Sequence, residues 1–199
     1  MIHMACARYW ADFLTTDMGG GVWRVNQELA AVPRFAVDDP VPDVALVAHP
    51  YTPNDIASLR VAQNEAPQNF PALYIQGEGP IPAEGEVSPG QPRDCIPVLI
   101  TKYIVAKSDL SLSQQWAAYT MKALERCAYK FFADDDVGET ARGYSHESGI
   151  AILSCGYRDN DYSPTYRVGI AYGPWSEDIG LAAATQVFTL VLYVRDRNP

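Results

Sequence analysis

The sequence predicts an α+β fold: a mostly antiparallel sheet with one principal helix packed on a face, plus long Pro/Gly-rich loops or arms. Three observations carry that expectation. Ser108 to Phe132, SDLSLSQQWAAYTMKALERCAYKFF, is the one strongly helix-periodic stretch of the chain. The runs around it alternate as strands do: CIPVLITKYIVAK before it, then GIAILSCGYR, TYRVGIAYG and TQVFTLVLYVRDR. Proline and glycine crowd two intervening stretches, where no regular element can run far. With 199 residues, 48% of them hydrophobic, the chain is long enough to bury one core. Residues 1–199 therefore read as a single domain, with 33–70 a Pro-rich excursion and 77–94 a projecting loop.

Met4 to Leu14 reads as a short helix. Ala5, Tyr9 and Phe13 share a stripe that Trp10 can join, and Gly19-Gly20-Gly21 breaks it. Val22 to Val32 reads either as a second short helix or as a strand passing into one, ended by Pro33. Prolines at 33, 40, 42, 50, 53 and 67 forbid a long regular element before Phe70. A short strand at Val44 to Ala48 and a helical turn after Thr52, capped by Thr52 or Asn54, are the exceptions. The rest of this excursion is expected to lie outside the main sheet.

Pro71 to Gly79 reads as a strand with Leu73 and Ile75 on one face and Ala72, Tyr74 and Gln76 on the other. Gly77 to Asp94 has four glycines, four prolines and no periodicity. Cys95 to Lys107 reads as one long strand with both faces partly apolar. One face is assigned to the helix, the other to a neighbour or to the Pro-rich excursion. In the helix, Ser111 with Gln114 has the spacing of a capping box. Trp116, Thr120, Ala123 or Leu124, Cys127 and Phe131 fall on one side, and Lys122, Glu125, Arg126 and Lys130 on much of the remainder. A loop follows to Gly149. Ile150 to Tyr157 and Thr165 to Tyr172 form a hairpin turned by DNDYSP, and Thr185 to Arg197 is the closing strand, with Phe188, Leu190, Leu192 and Val194 on one face.

The chemistry-bearing residues form no recognised catalytic motif. Asp134, Asp135, Asp136, Glu139, His146 and Glu147 cluster in sequence, but without the ligand order of an EF-hand. The cluster reads as a solvated acidic loop; because an acidic run just after a helix opposes the helix dipole, a partner's basic patch that offsets it is the alternative. His3, His49 and His146 lack the neighbours of a zincin or a nucleophile elbow. The glycines at 19–21 and 77–79 lack the strand and helix context of a phosphate loop. Cys6, Cys95, Cys127 and Cys155 are too far apart in sequence for paired zinc ligands; Cys127 and Cys155 read as buried thiols, and the set suggests a reduced compartment. No metal, no cofactor and no enzymatic activity are expected. The net charge of -9 disfavours direct nucleic-acid binding. The N-terminus lacks the pattern of a secretion signal, and no run is long enough for a membrane helix, so a soluble protein without a membrane partner is expected.

The stretches NFPALYIQGEG (69–79), IPVLITKYIVAK leading into SLSQQWAAYTMKALERC, and TQVFTLVLYVRDR resemble the tail terminator and related neck or tail-completion proteins of tailed bacteriophages. The resemblance covers residues 69 to 197, as a pattern of elements without a diagnostic motif. The chain departs from the pattern in its 33–70 excursion and its 77–94 loop. What the resemblance implies is a structural virion protein, made in the host cytoplasm. It would form a ring, commonly a hexamer, at the head-proximal end of the tail, cap the tail tube and join it to the head connector. Its partners would be copies of itself, the tail tube protein and head connector proteins, and DNA would pass through without specific binding. Glu78, Glu84, Glu86, Asp134, Asp135 and Asp136 are the candidate contact or lumen residues under that implication. The alternative is a small α+β enzyme or ligand-binding protein with a cleft near His146 and Glu147. A tube-forming protein of the same apparatus is a third reading.

Overall fold

The computed structural model describes residues 2–16, 20–33, 40–48, 67–77, 81–82, 93–96, 98–106, 110–133, 150–156 and 183–196. In chain order the elements are α1 (Ile2–Thr15), α2 (Arg24–Ala31), β1 (Leu46–Ala48), a 3₁₀ turn (Pro67–Asn69), β2 (Ala72–Gly77), β3 (Ile81–Pro82), β4 (Arg93–Ile96), β5 (Val98–Ala106), α3 (Leu110–Ala133), β6 (Ile150–Gly156) and β7 (Ala183–Asp196). The strands form one sheet. The helices pack on β1, β2, β5 and β7. The class is α+β.

The sheet is mixed. β1 joins β2 in parallel, Leu46 opposite Ala72, while β2 with β5, β3 with β4, and β7 with β4, β5 and β6 are antiparallel. One parallel pairing, β1 with β2, makes the sheet mixed, and the short strand expected within Val44 to Ala48 is that parallel strand. Val41 and Val44 of the 33–70 excursion are buried in the main core. Asn26 of α2 holds the segment in place. Its side chain accepts a hydrogen bond from the Val44 N–H (2.8 Å) and donates one to the Val44 carbonyl (3.0 Å). The Ala45 N–H then bonds the Pro71 carbonyl at 2.8 Å, which aligns β1 beside β2.

The registers show a longer unit than the individual strands. β4 and β5 meet β7 in the same register, Cys95 opposite Val194 and Val98 opposite Val191. They lie in line as parts of the single long strand expected from Cys95 to Lys107. β2 pairs with β5, Gly77 opposite Leu99, and β3 pairs with β4, Ile81 opposite Ile96. The stretch expected as a loop from 77 to 94 is therefore partly strand, at Gly77, Ile81–Pro82 and the start of β4. Residues 78–80, 83–92 and 97 lie outside the described residues.

The core lies between the sheet and the helices. Leu73 and Ile75 of β2, Leu99, Thr101 and Tyr103 of β5, and Phe188, Leu190 and Leu192 of β7 are buried on one side, as the alternation predicts. Ala72, Tyr74 and Ile104 are buried on the reverse face with Leu46, Ala48 and Phe70. The helical side centres on an aromatic cluster. Phe131 of α3 meets Tyr9, Trp10 and Phe13 of α1 edge-on, and Trp10 stacks on Phe13 and on Phe188 of β7. The Trp10 Nε1–H donates to Thr101 Oγ1 at 3.0 Å, so the indole is satisfied at full burial.

The expectation of one principal helix needs revision for that reason. α3 is the longest, but α1 contributes as much to the aromatic core. In α3, Trp116, Ala117, Thr120, Met121, Ala123, Leu124, Cys127, Ala128 and Phe131 are buried, which matches the predicted stripe. The capping box does not mark its start, because the helix is already formed at Leu110 and Ser111 is inside it. α2 settles the open choice at 22–32 as helix. Gly21 takes φ +69°, which a side chain disfavours, and turns the chain into it. Backbone N–H groups of Asn26 and Gln27 bond the Trp23 carbonyl at 3.0 Å. Val32 ends the helix in extended conformation before Pro33. The turn after Thr52, the loop to Gly149 and the strand at 165–172 lie outside the described residues.

Candidate functional site

The densest concentration of charge among the described residues lies where α2 crosses α3. Glu28 is buried at 5% exposure on α2. Arg126 donates from Nε to Glu28 Oε2 at 2.8 Å, and Lys130, one turn further along α3, bonds Oε1. Both cations keep 40–48% of their side-chain surface in solvent. Burial alone would raise the Glu28 carboxyl. The hydrogen bonds from Lys130 and Arg126, and their positive charges, outweigh it and hold the group below the ordinary carboxylate range.

Arg24 lies one turn before Glu28 on the same side of α2 and reaches to the end of α1. It is buried, its guanidinium lies 3.8 Å from the centre of the Phe13 ring, and NH1 donates to the Phe13 carbonyl at 3.0 Å. That carbonyl is in the last turn of α1, where it also accepts from the Thr16 N–H at 3.4 Å and where a cation is favoured. Arg24, Asn26 and Glu28 thus make α2 a bracket. It grips the end of α1, the strand entering β1 and the outer side of α3.

The chemistry available to this bracket is limited. Glu28 stays ionised and fully engaged through neutral pH, so it neither gives nor takes a proton there. Burial, and next the Glu28 charge, push the neighbouring Cys127 thiol up, leaving no thiolate to act as nucleophile or metal ligand. Burial also raises the Tyr103 phenol, with Thr120 beside it opposing the shift. No group of three or more His, Cys, Asp or Glu stands ready for a metal among the described residues. No helix there is long and apolar enough to cross a membrane. The arrangement fastens elements together and leaves cations on the surface.

The residues predicted as contacts, Glu78, Glu84, Glu86, Asp134, Asp135 and Asp136, lie outside the described residues, as do His146 and Glu147 of the enzyme alternative. In the chain, Glu78 follows the last residue of β2, Glu84 and Glu86 lie between β3 and β4, and Asp134–Asp136 follow the end of α3. The sequence reading passed over Arg24, Asn26 and Glu28. One signal was present: Arg24 and Glu28 repeat at the same i, i+4 spacing as the apolar Val25 and Leu29, so two polar residues ride beside the buried stripe. Their partners, 98 and 102 residues away for Glu28, have no sequence signature.

No protein-family model matches the chain, and a search of curated proteins found no match.

Proposed function

We propose that this chain is a structural virion protein that forms a ring at the head-proximal end of a phage tail, caps the tail tube and joins it to the head connector. The observation that carries the reading is a sheet longer than its helical cover. The helices pack on β1, β2, β5 and β7, and among the described residues none packs to a comparable extent on β3, β4 or β6. Among the described residues, β3, β4 and β6 therefore continue past the helical layer. Ring subunits need such an extension, because a head-to-tail contact that closes by rotation joins two different surfaces of the chain. Extended strands supply backbone pairing or packing area to a neighbour. The main charge cluster is consistent with this role, since it secures helices and has no reactive group at neutral pH. A lumen lined with acidic residues would let DNA pass without sticking, in keeping with the net charge of -9.

The test is electron microscopy of the purified full chain, alone and mixed with tail tubes from the virion that carries it. Closed rings of one size, and density capping one end of the tubes, are expected. A chain that stays monomeric and leaves tube ends bare overturns the reading. Open-ended polymerisation would identify it instead as a tube-forming protein.

A further inference from the structure

We infer that the outer face of α3 is a docking surface for an acidic segment of a second copy of this chain. Lys122, Arg126, Tyr129 and Lys130 fall at helical neighbour spacings along that face. Lys122, Arg126 and Lys130 have 56%, 40% and 48% of their side chains in solvent. Tyr129, at 49% exposure, is one of three exposed large hydrophobic residues among those described. The countercharges sit lower. Glu28 and Glu125, which bond these cations, keep only 7% and 17% of their side chains in solvent. Among the described residues the charges are layered, carboxylates beneath and cations above, so this face presents cationic groups to solvent. Glu28 also fixes the Arg126 and Lys130 head groups, which lowers the entropy lost when they bind. An aromatic ring between oriented cations suits a carboxylate-bearing segment.

The chain itself provides such an occupant. It has 24 acidic residues against 15 Lys and Arg, so most of its surface repels another copy. A head-to-tail contact between acidic copies needs a positive face, and α3 has three of the exposed cations. The identity of the partner as a second copy rests on the ring reading above.

The test compares the full chain with the double variant Lys122→Glu, Tyr129→Ala by sedimentation velocity over a concentration series. Both side chains project into solvent, and an unchanged melting curve checks that the variant is folded. Self-association is expected to weaken by about tenfold or more in the variant, because like charges then face each other. Association of the unaltered chain should also weaken as salt rises to about 1 M, where the screening length falls to about 3 Å. The pair Lys122→Arg, Tyr129→Phe should associate as the parent does. Equal association of parent and double variant overturns the inference, as does a parent that is monomeric throughout or indifferent to salt. Rings that persist in the double variant leave the ring reading standing and this surface refuted. Salt-sensitive dimers that never close, and that the variant abolishes, uphold this surface and refute the ring.

Discussion

At the scale of single residues, the buried carboxylate of Glu28 has the clearest thermodynamic consequence. Its folded-state pKa lies below its unfolded value. The stability it contributes is therefore complete above the ordinary carboxylate range and is lost as pH falls through the depressed folded value. Glu28→Gln should cost about 1–2 kcal/mol near neutral pH, the range for hydrogen bonds to charged groups discounted for the solvent around Arg126 and Lys130. The gap between the two proteins should close as pH falls below about 4, which denaturant titrations at several pH values will read. Gly77 makes a second, steric case. A Cβ there would stand 2.4 Å from the His3 carbonyl oxygen, which belongs to the α1 backbone and cannot rotate away. Gly77→Ala should lower stability by about 1–3 kcal/mol, the usual cost of overpacking, seen as an earlier unfolding midpoint. A glycine at the end of a strand is easily read from sequence. That the first turn of α1 presses on it is not.

At the scale of elements, the aromatic cluster ties α1, α3 and β7 into one unit. Phe131 contacts three rings of α1, so Phe131→Ala should cost about 3–5 kcal/mol, as for other buried aromatic truncations, and Phe131→Leu markedly less. Thermal and denaturant melts check both. The stripe that places Phe131 inward was legible, because 3.6-residue periodicity is a local property. β4 poses a question of register. Asp94 pairs with Arg195 and Arg93 with Asp196, so opposite charges fall at both paired positions. A slip by one residue would set like charges opposite each other, Arg93 facing Arg195 or Asp94 facing Asp196. Cys95 to Lys107 was readable as a strand from its alternation, but not its partners β2 and β7, because those pairings join segments far apart in the chain.

For the whole molecule, the described helices cover the sheet unevenly, and this predicts uneven protection. In dilute solution, amide exchange should be slowest where helices cover the sheet, at Leu99–Ile104 and at 186–192. It should be faster at Arg93–Ile96 and Ile150–Gly156, on which none of the described helices packs to a comparable extent. Under conditions of self-assembly the second group should gain protection if it meets a neighbouring copy. Uniform slow exchange in the monomer would show that the extension is covered within its own chain.

The α+β class, the faces of β2 and β7, the buried stripe of α3 and the end of α2 at Pro33 were all determined by the sequence alone. Each depends on residues within a few positions of one another, through periodicity or through backbone restrictions at proline and glycine. Tertiary structure decided the rest. It placed β1 in parallel beside β2, paired β2 with β5 and β3 with β4, and brought α1 into the core beside α3. It also set Glu28 between Arg126 and Lys130, where two cations reverse the effect of burial on its carboxyl. These outcomes depend on contacts between distant segments, whose energies arise only once hydrophobic burial has brought the segments together.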